Sequence, residues 1–233
     1  MKKLIIFDLD GTLAKSKSPI DKEMSTLFSK LLDVAHVAII SGGDWAQFKQ
    51  QVLSQLPKEA MLNKLSILPT CGTKFYQYKD DWKLLYAENF TEKEKSAILD
   101  NLNKAVVAAH LNITKTWGDQ IEDRGSQITF SALGQQAPLE AKKNWDNDFA
   151  KRKKIVDRLE VPLKDFSINM GGKTSIDITK KGIDKAYGIN KLKEVLDFSF
   201  REMLFVGDAL FEGGNDYPAR TTGVDCIQVR DPE

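Results

Sequence analysis

Three four-residue apolar runs constrain this chain most. They are Leu4-Ile5-Ile6-Phe7, ending at Asp8; Val37-Ala38-Ile39-Ile40, ending at Ser41-Gly42-Gly43; and Met203-Leu204-Phe205-Val206, ending at Gly207-Asp208. Each is too brief for a helix, and none alternates with polar residues. Each therefore reads as a strand buried on both faces, as in a parallel sheet. After Gly43, the residues Trp45, Phe48, Val52 and Leu56 fall at helical spacing behind Asp44, a fitting N-cap. Strand, glycine turn, helix is the repeating unit of a doubly wound α/β fold, whose chemistry sits outside the carboxyl ends of the strands. All three ends here are polar or acidic.

The middle of the chain is patterned differently. Thr91-Glu92-Lys93-Glu94 fits a capping box, with Ile98, Leu102, Ala105, Val106 and Ala109 following on one helical face. Segments 127–133 and 174–180 alternate, setting Gln127, Thr129, Ser131, Ser175, Asp177 and Thr179 against apolar neighbours. Alternation marks strands with one dry and one wet face, as in an antiparallel sheet. Between them a charged helix is expected over roughly 139–160, with Trp145, Phe149, Val156 and Leu159 as its apolar contacts. An α+β module at 87–181 is thus expected as an insertion into a parallel-sheet core formed by 1–86 and 182–233.

Composition narrows the function. The chain has 233 residues, 42% hydrophobic and 29% charged, with a formal net charge of +1. That excludes a disordered chain and argues against a protein built to grip nucleic acid or an anionic membrane. Two cysteines, Cys71 and Cys226, are too few for a disulfide framework or a thiolate zinc site, and free thiols suit a reducing compartment. The opening apolar run is broken by Asp8 and Asp10, so it is no secretory signal, and a cytoplasmic protein is the expectation. The chain stops at Asp231-Pro232-Glu233, a helix-opening sequence, so a truncated C-terminus is suspected.

Four separated pieces carry chemistry together. In Asp8-Leu9-Asp10-Gly11-Thr12, side chains two apart on extended backbone point the same way, setting the two carboxylates about 6–7 Å apart along the strand. Two such charges resist joint ionisation unless a cation intervenes. Ser41-Gly42-Gly43 offers a hydroxyl and bare backbone N–H groups at a helix start, which suits a phosphate. Lys185 opens a helix carrying Ile189, Leu192, Val195 and Leu196. Gly207-Asp208 is followed by Gly213-Gly214-Asn215-Asp216. Each piece alone has a bland reading; their order, each at a strand end or helix start, makes a shared active site the better one.

This set resembles the haloacid dehalogenase (HAD) superfamily of phosphotransferases. DLDGTL resembles its first motif, the strand-end Ser41 its second, Lys185 its third and GDALFEGGND its fourth, while the insertion resembles the large α+β cap of the Cof-like subgroup. Within it, DLDGTLAKSKSPI, SIDITKKGIDKAYGI and the spaced GD…GGND are most similar to eukaryotic-type phosphomannomutases, over nearly the whole chain. The resemblance implies Asp8 as nucleophile forming an aspartyl phosphate and Asp10 as general acid, then base. It implies Mg2+ held by the Asp8 carboxylate, the Asp10 carbonyl and Asp208, with Lys185 neutralising phosphoryl charge. Thr12, Ser41 and Gly42 would bind the phosphate, and Asn215 and Asp216 would position Lys185 or water.

On the cap, Arg124 matches a family arginine, and Ser175 and Asp177 match residues that contact the sugar. Lys17, Gln135 and Lys142 stand where the family carries arginine. Lysine keeps the charge without the bidentate fork, and Gln135 loses the charge. The expectation is a Mg2+-dependent phosphoryl transfer on a phosphorylated hexose, as in a phosphomannomutase. A capped sugar-phosphate phosphatase is the alternative, and a phospho-accepting switch resembling a response-regulator receiver is a distant third. A homodimer through the cap is expected by analogy. His36 and His110 lie apart from the acidic cluster, and Trp45, Trp82, Trp117 and Trp145 read as packing residues.

Overall fold

The computed structural model describes residues 1–233 and divides into two compact units, Met1–Ala87 with Ile183–Glu233, and Glu88–Gly182. The first unit opens with β1 (Leu4–Phe7), α1 (Lys22–Val34), β2 (His36–Ile40), α2 (Trp45–Phe48), β3 (Leu65–Leu68), β4 (Lys74–Lys79) and β5 (Asp81–Ala87). The second holds α3 (Glu92–Ala108), β6 (Ile121–Asp123), β7 (Gln127–Ser131), α4 (Leu139–Lys143), α5 (Ala150–Leu159), β8 (Phe166–Gly171) and β9 (Ser175–Lys180). The chain then completes the first unit with α6 (Lys185–Leu196), β10 (Met203–Gly207), α7 (Tyr217–Thr221) and β11 (Asp225–Gln228).

The first unit is a seven-stranded sheet in the order β11-β10-β1-β2-β3-β4-β5. Its first five strands are parallel, and β4 and β5 join antiparallel. Successive side chains of β2 go to opposite faces, which is why the run lacks alternation. Ala38 and Ile40 pack in one core with Ile189, Leu192 and Ala219, and Val37 and Ile39 in another with Phe28, Leu32 and Phe48. Helices α6 and α7 therefore cover one face and α1 and α2 the other, the doubly wound α/β arrangement. The strand order reverses at β1, between β10 and β2, and the chemistry of such sheets collects at that crevice.

The second unit is a four-stranded antiparallel sheet, β6-β7-β9-β8, over a core of Ile98, Leu102, Ile128, Phe130, Ile155, Leu159, Ile176 and Ile178. Thr91 caps α3 with the reciprocal Glu94 contact of a capping box. No helix is long and apolar enough to cross a membrane.

Several local expectations are corrected. The helix after Gly43 is only Trp45–Phe48, continued by a π-helical turn over Lys49–Leu53, and Asp44 makes no cap bond but pairs with Lys74 at 2.7 Å. The single helix over 139–160 is two: the first stops at Asn144, which leaves the helical region, and the second starts only after Phe149, which takes a left-handed φ of 60°. Phe149 is exposed, and Ile155 fills the core place beside Leu159. The wet face of β7 is dry, with Gln127, Thr129 and Ser131 all buried. Val195 is exposed although it sits at helical spacing from Leu192. The first strand ends at Phe7, so Asp10 lies beyond it, in an isolated bridge to Ala14, rather than on the strand itself.

Candidate active site

Strand register builds the site. Phe7 lies opposite Ile39 on one side and Val206 on the other, so the next residues, Asp8, Ile40-Ser41 and Gly207-Asp208, come out at one edge of the sheet. The Asp8 N–H donates to Val206 O at 3.0 Å, which extends that register to the carboxylate. Gly11 takes a φ of +100°, and a Cβ there would stand 2.6 Å from Asp208 Oδ2. A residue without a side chain is required for the turn and the carboxylate to share that space.

Lys185 enters from the first turn of α6, whose N-terminus is capped by Asp184 through Tyr187 N at 3.0 Å. The lysine is almost fully buried. Its Nζ donates to Asp8 Oδ1 and to Ile40 O at 2.5 Å, and stands 3.4 Å from Asp216 Oδ1. Burial disfavours its ammonium, but the carboxylates of Asp8 and Asp216 outweigh that and raise its pKa above the ordinary lysine value. Asp8 feels the reverse balance. Burial dominates, Lys185 opposes it, Asp216 adds repulsion, and the carboxyl is pushed up to about 7. Asp208, half-buried, is raised by burial and by Asp216.

The carboxylates of Asp8, Asp208 and Asp216 each offer an oxygen within 4.8 Å of the others, and Asp8 Oδ2 is buried with no hydrogen-bond partner. Three buried or half-buried carboxylates against one ammonium leave excess negative charge, and the donors are hard oxygens. That set fits a hard divalent cation. Asp216, expected only to position Lys185 or water, is thus a member of the acidic cluster. Its Oδ2 also accepts from Ala209 N at 3.1 Å.

Asp10 lies outside this three-carboxylate group. Its oxygens accept from Lys17 N at 2.6 Å, Gln47 Nε2 at 3.0 Å and Gln51 Nε2 at 3.3 Å. The two glutamines are four apart, one helical turn, on α2 and its π-helical continuation. Their spacing is visible in the sequence, but an amide carries no titratable signal, and the apolar face dominates the pattern of that segment. Thr12 reaches Asp208 Oδ1 at 3.4 Å. Ser41 is buried, and its Oγ accepts from Gly43 N at 3.2 Å, leaving its own proton to donate. Gly42 sits in the same turn. The side chain of Lys17 is exposed, and its backbone has a φ of 56°. Asn215 is exposed and makes none of the cluster's contacts.

In the second unit, Ser175 Oγ meets Ser131 Oγ at 2.8 Å and Asp177 Oδ1 accepts from Thr129 at 2.7 Å. Gln135 Oε1 accepts from Ser131 at 3.3 Å. Arg124 is buried and pairs with Glu122 at 2.6 Å. Lys142 is buried in α4, unlike its exposed neighbour Lys143.

Residues 24–226 match the family model described as eukaryotic phosphomannomutase. Among curated proteins, a phosphomannomutase of Encephalitozoon cuniculi is 27% identical over 235 residues, 93% of this chain and 83% of that protein. One of Schizosaccharomyces pombe is 29% identical over 226 residues, 93% of this chain and 84% of that protein. Among solved structures, an IMP-bound Plasmodium falciparum IMP-nucleotidase aligns at TM-score 0.71 and 16% identity over 99% of this chain, which spans 65% of the nucleotidase's length. A haloacid dehalogenase-like hydrolase from Bacteroides thetaiotaomicron aligns at TM-score 0.62 and 17% identity, covering 89% of this chain and 82% of that one. These two likenesses carry the fold.

Proposed function

The chain belongs to the eukaryotic phosphomannomutase family and is a phosphotransferase, and from that premise we propose that it moves a phosphoryl group between positions of a hexose phosphate, mannose 6-phosphate and mannose 1-phosphate, through an aspartyl phosphate on Asp8. One observation carries the reading. The Asp8 carboxylate is buried, ion-paired to Lys185 through one oxygen, and has no hydrogen-bond partner on the other. A structural ion pair would engage both oxygens; a nucleophile needs one lone pair in reserve.

In the first half-reaction an Asp8 oxygen bonds to phosphorus, the bond from phosphorus to the sugar oxygen breaks, and Asp10 gives that oxygen a proton. In the second, a different sugar hydroxyl attacks, Asp10 takes its proton, and the Asp8–phosphorus bond breaks. Asp10 is bracketed by Gln47, Gln51 and the Lys17 N–H, so it exchanges one of those donors for the sugar oxygen. Lys185 holds positive charge beside Asp8 throughout. Ser41, Thr12 and the Gly42 backbone bind the transferring phosphate, and Asn215 borders the loop that carries Asp216. Mg2+, held by Asp8, Asp208 and Asp216 with the Asp10 carbonyl that the family resemblance adds, would supply charge neutralisation at the phosphoryl oxygens. Arg124, Lys17 and Lys142 supply cations for the distal phosphate, and Ser175 and Asp177 hydrogen-bond the sugar.

Gln135 favours a second reading, a sugar-phosphate phosphatase. It is uncharged, where a bisphosphate intermediate calls for a cation to hold its second phosphate. A coupled assay for mannose 6-phosphate formed from mannose 1-phosphate, with a hexose bisphosphate activator, run beside phosphate release, separates the two. Isomer exchange exceeding release supports the mutase; release without exchange eliminates it.

A further inference from the structure

We propose that Asp146 and Arg152 form a positioning latch that sets the β8–β9 turn, and through it the Ser175 and Asp177 side chains; the proposal rests on the hexose-phosphate reading above. Arg152 lies in the first turn of α5, and its side chain and that of Asp146 are both fully buried. Asp146 accepts from Lys151 N at 2.8 Å and Arg152 N at 3.3 Å, closing the open N-terminus that the left-handed Phe149 leaves. It also takes Arg152 Nε at 2.7 Å. From that anchor the guanidinium crosses to the turn between β8 and β9, where Nη1 donates to the carbonyls of Gly171 at 3.0 Å, Gly172 at 3.1 Å and Ser175 at 3.2 Å.

Stability alone does not account for this pair. A buried ion pair is expensive to desolvate, and an apolar pair of the same volume serves a core as well or better. Arg152 Nη2 is moreover buried without a hydrogen-bond partner. What the pair achieves is placement. A planar guanidinium fixed at one end presents its N–H groups in a rigid fork, which a lysine cannot reproduce. One carbonyl it holds belongs to Ser175, whose hydroxyl pairs with Ser131, two residues from Asp177, which pairs with Thr129. An ångström of drift there would move both groups off a bound sugar.

The test uses the full chain as Arg152→Lys and Asp146→Asn. Each is assayed with mannose 1-phosphate and with p-nitrophenyl phosphate, which needs only the phosphoryl chemistry, and by amide hydrogen exchange. The latch predicts a KM for mannose 1-phosphate raised about tenfold or more, p-nitrophenyl phosphate turnover within about twofold of the parent, and faster exchange at Ser175–Asp177 than in α3. Unchanged KM, equal loss on both substrates, or unchanged exchange at 175–177 in both variants overturns it. Should the parent protein turn over no hexose phosphate, the functional reading falls, while exchange at 175–177 still decides the latch.

Discussion

Asp8 concentrates the proposed chemistry at the scale of one side chain. Asp8→Asn keeps the shape and removes the proposed nucleophile, so turnover should fall by about 10^4-fold or more while circular dichroism stays that of the parent. Retained turnover would reject the assignment. The same residue sets a pH dependence. Its carboxyl is pushed up from 3.8 to about 7 in the folded protein, so between those values the native state holds a proton that the unfolded chain has released. Stability of the metal-free protein therefore falls as pH rises through that window, at about 1.4 kcal/mol per unit. Melting temperatures in chelator from pH 4.5 to 8 should show this slope, and Asp8→Asn should flatten it. The acid and lysine positions drew attention in the sequence through their joint order, each at a strand end or a helix start, and not through any one of them alone. The partners of Asp10 did not, since Gln47 and Gln51 are ordinary residues until the fold brings Asp10 to them.

Among elements, the turn after β1 and the start of α3 are the sharpest cases. Gly11→Ala imposes a Cβ on a φ of +100° and 2.6 Å from Asp208, so it should destabilise by roughly 1–3 kcal/mol and weaken divalent-cation binding together. A loss of stability with unchanged cation affinity would separate the turn from the site. Thr91→Ala breaks the α3 capping box and should cost about 1 kcal/mol, a melting shift of about 2–4 °C. Capping boxes and buried strands were readable because their signals are local. The break in the 139–160 segment was not, because charge and helical spacing run unbroken across it. The break runs from Asn144, whose backbone leaves the helical region, to the left-handed Phe149, with Asp146 closing the helix that follows. The β4–β5 hairpin leaves no clear signal in the sequence, having no clean alternation.

For the molecule as a whole, the open issue is how the transferred group is shared between sugar and water. Gln135→Arg adds a cation where the family resemblance implies one. It should raise isomer exchange relative to phosphate release by about tenfold, roughly the value of one charge-assisted hydrogen bond. An unchanged ratio would mean that the distal phosphate is not limiting.

Periodicity settled the α/β class, because each segment records what it buries; residue type pointed to an inserted α+β module and to the acidic and basic groups that could share a site. Folding was needed to decide which carboxylates share a centre. Asp216 joins Asp8 and Asp208 while Asp10 turns to two glutamines. That outcome follows from strand register and side-chain direction, set by neighbours distant in the chain, and no local stretch of sequence encodes it.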